Sequence, residues 1–121
     1  MKFRSVCPLA RSLDMIGDKW TLLVLREVAA FGKTTYKELA QMKEGIATNT
    51  LADRLEKLVS EDFLTKTKSD KNKLVYHYHI TEKGLDLLPV IQSLIAFSEK
   101  YLYKDSEREE LQQLMATSKF S

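Results

Sequence analysis

The sequence predicts an α+β domain, mostly helical with one small antiparallel sheet, and three observations carry that expectation. Between Ala47 and Glu61 the apolar residues Leu51, Leu55, Leu58 and Val59 recur at the spacing of a single helix face. Immediately after it, two short runs of strand character flank Ser69-Asp70-Lys71-Asn72, a cluster with turn chemistry. The resulting hairpin, Thr65 to Lys73, holds Lys66, Lys68, Lys71 and Lys73 against one acid, Asp70. A polar-faced helix beside a basic β-ribbon is the pattern of a winged helix-turn-helix, in which the helix enters a major groove and the wing tracks the backbone. The expected architecture is a three-helix core plus a two-stranded wing, with additional N- and C-terminal dimerisation helices.

In chain order, Pro8 suits the first position of a helix, where its fixed φ and missing N–H cost nothing. That helix is expected to run to about Met15, with Gly17 ending it. Asp18 is suited to cap a second helix, Lys19 to Ala30, with Gly32 as the stop. Leu22, Leu23, Leu25, Val28 and Ala29 form its expected core face, and Trp20 reads as a core anchor. Thr35 and Glu38 satisfy the Ser/Thr-x-x-Glu capping box, so a short third helix starts near Tyr36 and breaks near Lys43 to Gly45. Gly45 then supplies the turn into the Ala47–Glu61 helix.

Phe63 and Leu64 open a strand that continues through Lys68, and Leu74 to Ile80 is its partner. Leu74, Tyr76, Tyr78 and Ile80 share one face of that partner; Val75, His77 and His79 share the other. Thr81 caps a long helix from Glu82 to about Tyr103, which Pro89 kinks or interrupts. Its apolar residues, among them Leu85, Val90, Leu94, Phe97, Tyr101 and Leu102, fill more than one stripe. Burial on two sides is then expected, more than a small domain supplies alone, and this is the reason to expect a dimer. Ser106 and Glu109 form a further capping box, opening a last helix through about Met115.

At 121 residues the chain is expected to be one domain, with a DNA-binding core over about 19–81 and dimerisation helices over about 7–16 and 82–117. No apolar run approaches the roughly 20 residues of a membrane span. The start Met-Lys-Phe-Arg-Ser-Val-Cys-Pro lacks the apolar core of a signal peptide. A cytoplasmic location is expected, on the nucleoid when bound to DNA. The single cysteine, Cys7, excludes an internal disulfide and a cysteine-based zinc cluster. His77 and His79 alternate on a strand face, but no third ligand stands nearby, so no metal site is expected. The absence of a Ser/His/Asp set, a Gly-rich phosphate loop and convincing paired carboxylates argues against an enzyme, and no cofactor is expected.

The net charge of +2 conceals an uneven distribution. Residues 32–81 carry nine basic and seven acidic groups, whereas residues 82–112 carry four basic and seven acidic, a local net of −3. The lysine cluster at 66–73 suggests a polyanion partner only weakly, because a solvated hairpin has the same composition.

More specific are several short motifs in a fixed order. Cys7-Pro8-Leu9 is followed by Ile16-Gly17-Asp18-Lys19-Trp20-Thr21-Leu22-Leu23-Val24-Leu25-Arg26-Glu27. Then come Tyr36-Lys37-Glu38-Leu39, Gly45-Ile46-Ala47, Leu51-Ala52-Asp53-Arg54-Leu55-Glu56-Lys57-Leu58 and Ile80-Thr81-Glu82-Lys83-Gly84. Over roughly residues 6–101 the chain resembles the HxlR family of bacterial transcription regulators, relatives of the wider MarR-type winged-helix group. The resemblance implies a homodimer that binds a pseudo-palindromic double-stranded operator, more often as a repressor than as an activator. It also implies that Cys7 is a candidate sensor of oxidants or electrophiles, since several members use a cysteine here. A helix N-terminus and the nearby Arg4 and Arg11 would favour a thiolate; a buried structural cysteine is the alternative. The chain departs from the family at Ala47, where a capping Ser is usual, and at Asn49, where Lys is common. It also has Asp62-Phe63 in place of Asp-Gly and no Pro in the wing.

The candidate groove-contacting residues are Thr48, Asn49, Thr50, Asp53 and Lys57, which project away from the leucines. Asn49 is suited to bidentate pairing with adenine, and Asp53 either accepts from a cytosine amino group or orients Arg54 or Lys57. Arg54 flanks that face, open to a phosphate contact or an internal salt bridge. Lys71, Asn72 and Lys73 are the wing-tip candidates, and Lys37 is placed to meet phosphate at the start of the supporting helix. A winged-helix module for protein–protein contact, without DNA binding, is the rival reading.

Overall fold

The computed structural model describes residues 2–117. The N-terminal helix α1 (Pro8–Ile16) is followed by α2 (Thr21–Phe31), α3 (Tyr36–Leu39) and α4 (Thr48–Ser60). A hairpin of β1 (Leu64–Lys68) and β2 (Tyr76–Ile80) comes next, then α5 (Glu82–Leu85), α6 (Leu88–Tyr101) and α7 (Arg108–Ala116). The strands are antiparallel, with Leu64 opposite Ile80 and Lys68 opposite Tyr76. No helix among the described residues is long and apolar enough to cross a membrane.

The core is a contiguous cluster in which α2 gives Val24, Leu25 and Val28, and α4 gives Leu51, Leu55 and Leu58. Ile16, Leu39, Met42, Ile46, Phe63, Leu64, Tyr78 and Ile91 complete it. Each buried leucine contributes about 1.5–3 kcal/mol of transfer free energy. Val24 and Ala30 are buried although the expected core face of α2 omitted them, while Leu22 and Leu23 are only half-buried. The reason is that α2 is covered by both α4 and the hairpin, so its apolar stripe is wider than a single contact requires.

Helix ends follow local chemistry. Asp18 accepts hydrogen bonds from the Trp20 and Thr21 N–H groups, though the regular helix starts only at Thr21. Gly32, at φ 67°, ends α2 in a left-handed conformation that residues with a Cβ adopt reluctantly. The Thr35–Glu38 capping box forms as its sequence predicts. Helix α4 ends in a Schellman motif: the Phe63 N–H reaches Leu58 O, the Asp62 N–H reaches Val59 O, and Asp62 itself takes φ 64°. Asp tolerates that conformation better than most residues. Position 63 is thereby free to hold a buried phenyl ring.

Three expectations are corrected. The long helix Glu82 to Tyr103 is two helices, α5 and α6, parted at Asp86 and Leu87. Pro89 then falls in the first turn of α6, where its missing N–H costs nothing, whereas in a continuous helix its ring would press on the preceding turn. The Ser106–Glu109 box does not form. Glu107 instead accepts from the Lys104 N–H, a 3₁₀ turn covers Asp105–Glu107, and α7 starts at Arg108. Leu74 does not belong to the strand or to its inward face. It is 89% exposed in the hairpin loop, because β2 begins only at Tyr76.

Candidate nucleic-acid interface

Three elements set the position of α4. Arg26 on α2 makes a two-pronged ion pair with Glu44, through 3.0 and 2.7 Å hydrogen bonds, and so ties α2 to the segment that leads into α4. On α3, the Tyr36 hydroxyl donates to Thr48 O at 2.8 Å, fixing the first turn of α4. From the other side, Asp18 Oδ2 accepts from Arg54 Nε at 2.8 Å, and Lys57 Nζ donates to Met15 O at 2.7 Å. Burial raises the Asp18 carboxyl, but hydrogen bonds from the Thr21 hydroxyl, Arg54 and the Trp20 N–H outweigh it and hold the group well below the ordinary carboxylate range.

Thr48, Asn49 and Asp53 stand exposed on α4, and Thr50 is half-buried. No side chain caps the first turn, since Ala47 occupies the cap position with nothing to offer. Gly45, at φ 75°, makes the turn that delivers the chain to Ala47. Arg54 is less free than an exposed groove residue, being held between Asp18 and Asp53. Lys57 is likewise engaged, by a backbone carbonyl of α1. Of the alternatives the sequence leaves for Arg54, the internal salt bridge is formed here.

The hairpin loop is closed by its own hydrogen bonds. Asn72 Oδ1 accepts from the Leu74 N–H, Asn72 O accepts from the Val75 N–H, and the Ser69 N–H donates to Val75 O. Lys71, Asn72 and Lys73 are exposed at its tip. Lys66 lies 4.2 Å from the centroid of the Tyr76 ring, so part of its charge is turned toward the strand face. The hairpin root is anchored by the Tyr78 N–H donating to Thr34 O at 2.7 Å and by a bridge between Thr35 and His77. His77 Nδ1 lies 2.9 Å from the Thr34 hydroxyl and His79 Nε2 lies 3.2 Å from the Thr67 hydroxyl, so each imidazole has a local partner.

A groove lined by Thr35, Tyr36, Lys37, Leu74, Val75, Tyr76 and Tyr78 separates the start of α3 from the hairpin. Tyr36 therefore borders both the hairpin and, through its hydroxyl, the first turn of α4. Lys37 is exposed beside it. Sequence reasoning missed Tyr36 and the second role of Asp18, because both act on residues well away in the chain and leave no periodic signal.

Cys7 is exposed at the N-cap position of α1. The two arginines expected near it are turned elsewhere, Arg4 to the Asp14 carboxylate and Arg11 to Ser5 O.

The sequence profile of the HxlR-like helix-turn-helix family matches residues 15–106, a span that leaves Cys7 outside. Rv3095 of Mycobacterium tuberculosis (strain ATCC 25618 / H37Rv), named an uncharacterised HTH-type transcriptional regulator, is 35% identical over 94 residues. That alignment covers 78% of this chain and 58% of the relative, so the chain spans little more than half of that protein's length. The HTH-type transcriptional regulator YodB of Bacillus subtilis (strain 168) is 26% identical over 98 residues, covering 80% of this chain and 87% of YodB. Among solved structures, PA1607, described as a candidate transcription factor, superposes with a TM-score of 0.75 at 32% identity, covering 84% of this chain and 70% of PA1607. The hairpin on a helical core and the match over residues 15–106 agree: the chain belongs to the HxlR-like helix-turn-helix family.

Proposed function

We propose that the protein is a sequence-specific double-stranded DNA-binding transcriptional regulator that works as a homodimer. The observation that carries this reading is the exposed, uncapped first turn of α4, joined through Tyr36 to the same α3 terminus that borders the lysine-rich hairpin. Thr48, Asn49, Thr50 and Asp53 face the groove in this reading, while Lys37, Lys71, Asn72 and Lys73 meet phosphates or the minor groove. Arg54 and Lys57 are the weaker candidates for contact, given their partners within the fold.

The homodimer is supported by what α1 and α6 leave uncovered. Leu9 and Leu13 on α1, and Leu94, Phe97 and Tyr101 on α6, are all exposed at helical spacing. Joining them across a two-fold axis would set two α4 helices about 34 Å apart, in successive major grooves of a pseudo-palindromic site. Repression by occlusion, the commoner mode in such families, and a cytoplasmic location are part of the same proposal.

Purified protein should select fragments from a genomic library, and its affinity for them should fall steeply with salt as counterions are released. Replacing Lys71 and Lys73 with Ala should weaken binding to all sequences alike and flatten that slope. An unchanged slope would remove the wing from the contact surface.

A redox response belongs to this reading through Cys7. Solved structures of YodB are described as reduced, diamide-treated and quinone-bound forms. In the present chain the exposed Cys7, beside apolar residues of the proposed dimer face, is the group through which such reagents would act. Diamide should lower DNA affinity in the native protein and leave Cys7→Ser unaffected. An equal response in both proteins would exclude Cys7 as the sensor.

A further inference from the structure

Helix α4 is held by the α1–α2 corner at two points on one of its edges. Arg54 and Lys57, three residues apart, meet Asp18 and the Met15 carbonyl, two groups that flank the Gly17 turn. The leucines of α4 fix its depth in the core and oppose a large roll, but a roll of a few degrees exposes little of them. Polar tethers with fixed geometry resist it better. The anchor is itself rigid: Asp18 also accepts from the Trp20 N–H, the Thr21 N–H and the Thr21 hydroxyl, and so moves with the start of α2. The other end of the guanidinium pairs with Asp53, on the exposed side of α4.

We propose that Asp18 is a positioning residue for DNA recognition: through Arg54 it sets the rotational angle of α4 and hence the aim of Asn49 and its neighbours, with the Lys57–Met15 bond as the second tether. This rests on the DNA-binding reading above. The leverage is large for a small motion. With side chains a helix is about 5–6 Å in radius, so a roll of about 10° shifts a groove-facing atom by about 1 Å. Hydrogen bonds to base edges have a working range of about half an ångström. Because Met15 lies in the last turn of α1, a displacement of α1 would reach α4 through the same bond.

The sign of one substitution separates positioning from charge. Asp18→Ser keeps a cap oxygen for the start of α2, is too short to reach Arg54, and removes a negative charge close to the DNA-facing helix. Electrostatics alone predicts tighter binding to every sequence. Positioning predicts a loss of about 10- to 100-fold on the selected operator, the scale of one mismatched base pair, with non-specific binding unchanged or slightly tighter. Arg54→Gln should lose a similar factor without altering the salt slope, and the double variant should be no worse than either single one. Were Arg54 a phosphate contact, its removal would lower the slope by about one.

Two binding results overturn the proposal: operator binding by Asp18→Ser as tight as the native protein's, or a slope reduced by about one in Arg54→Gln. Amide hydrogen exchange supplies a measurement that needs no DNA. Asp18→Ser should speed exchange in α4 about tenfold or more relative to β1 and β2; equal acceleration everywhere marks a merely stabilising residue and also overturns it. If the native protein retains no DNA fragment, the functional reading fails, and hydrogen exchange still decides whether Asp18 governs α4.

Discussion

Helices α4 and α6 are both amphipathic and nearly equal in length, yet they finish in opposite states. The apolar residues of α4 are spent within the chain: Leu51, Leu55 and Leu58 are 0–1% exposed. Helix α6 buries Ile91 and packs Ile95 against the core, but leaves Phe97 at 58% and Tyr101 at 63% exposed. The polar side of α4 is correspondingly open, while α6 presents apolar side chains to solvent. One helix completes the core and leaves a polar face open; the other leaves an apolar face uncovered. The same period of hydrophobicity thus serves two purposes, and only the three-dimensional surroundings tell them apart.

That contrast can be broken at α4 first. Leu55→Ala removes a side chain that is 1% exposed, and should cost about 2–5 kcal/mol of folding stability by thermal or denaturant unfolding, at any protein concentration. A loss below about 1 kcal/mol would mean that α4 is not anchored as the core describes.

Next in size is α6. Phe97→Ser should leave the fold of the subunit intact but weaken dimerisation by about 2–4 kcal/mol, because a two-fold axis repeats the loss. Sedimentation should show dissociation at concentrations where the native protein is paired, with operator affinity falling in step. A protein that is monomeric before substitution would end the dimer reading.

The smallest effect sharpens the exposed side of α4. Asn49→Ala should relax base preference at one operator position at a cost of about 1–3 kcal/mol there. An equal loss on all sequences would assign Asn49 to the backbone.

The amino-acid sequence carried the order and approximate extent of the helices and both strands, because periodicity, caps and turn residues are local. Thr35–Glu38 and the Ser69–Asn72 loop were readable for that reason. Tertiary economy was not. The break at Asp86–Leu87 depends on where Pro89 can sit without pressing on a preceding turn, and the burial of Val24 depends on a second layer over α2. Candidate site residues were legible as a class, since Thr48, Asn49 and Asp53 do stand on the open side of α4. Which charges are already spent was not legible. Lys57 looks identical in sequence to a free cation, and its partner lies 42 residues away; for Arg54 the adjacent Asp53 was legible, but Asp18, 36 residues away, was not.

The bare start of α4 has a further consequence. Ala47 offers no oxygen to the amides of Thr48, Asn49 and Thr50, so in the free protein these groups have only water to bond. A serine at 47 would supply the missing oxygen. The first turn is therefore the least secured part of α4, and it carries Thr48, Asn49 and Thr50. A side chain restored at 47 would firm that turn without touching the leucines that hold the rest of the helix.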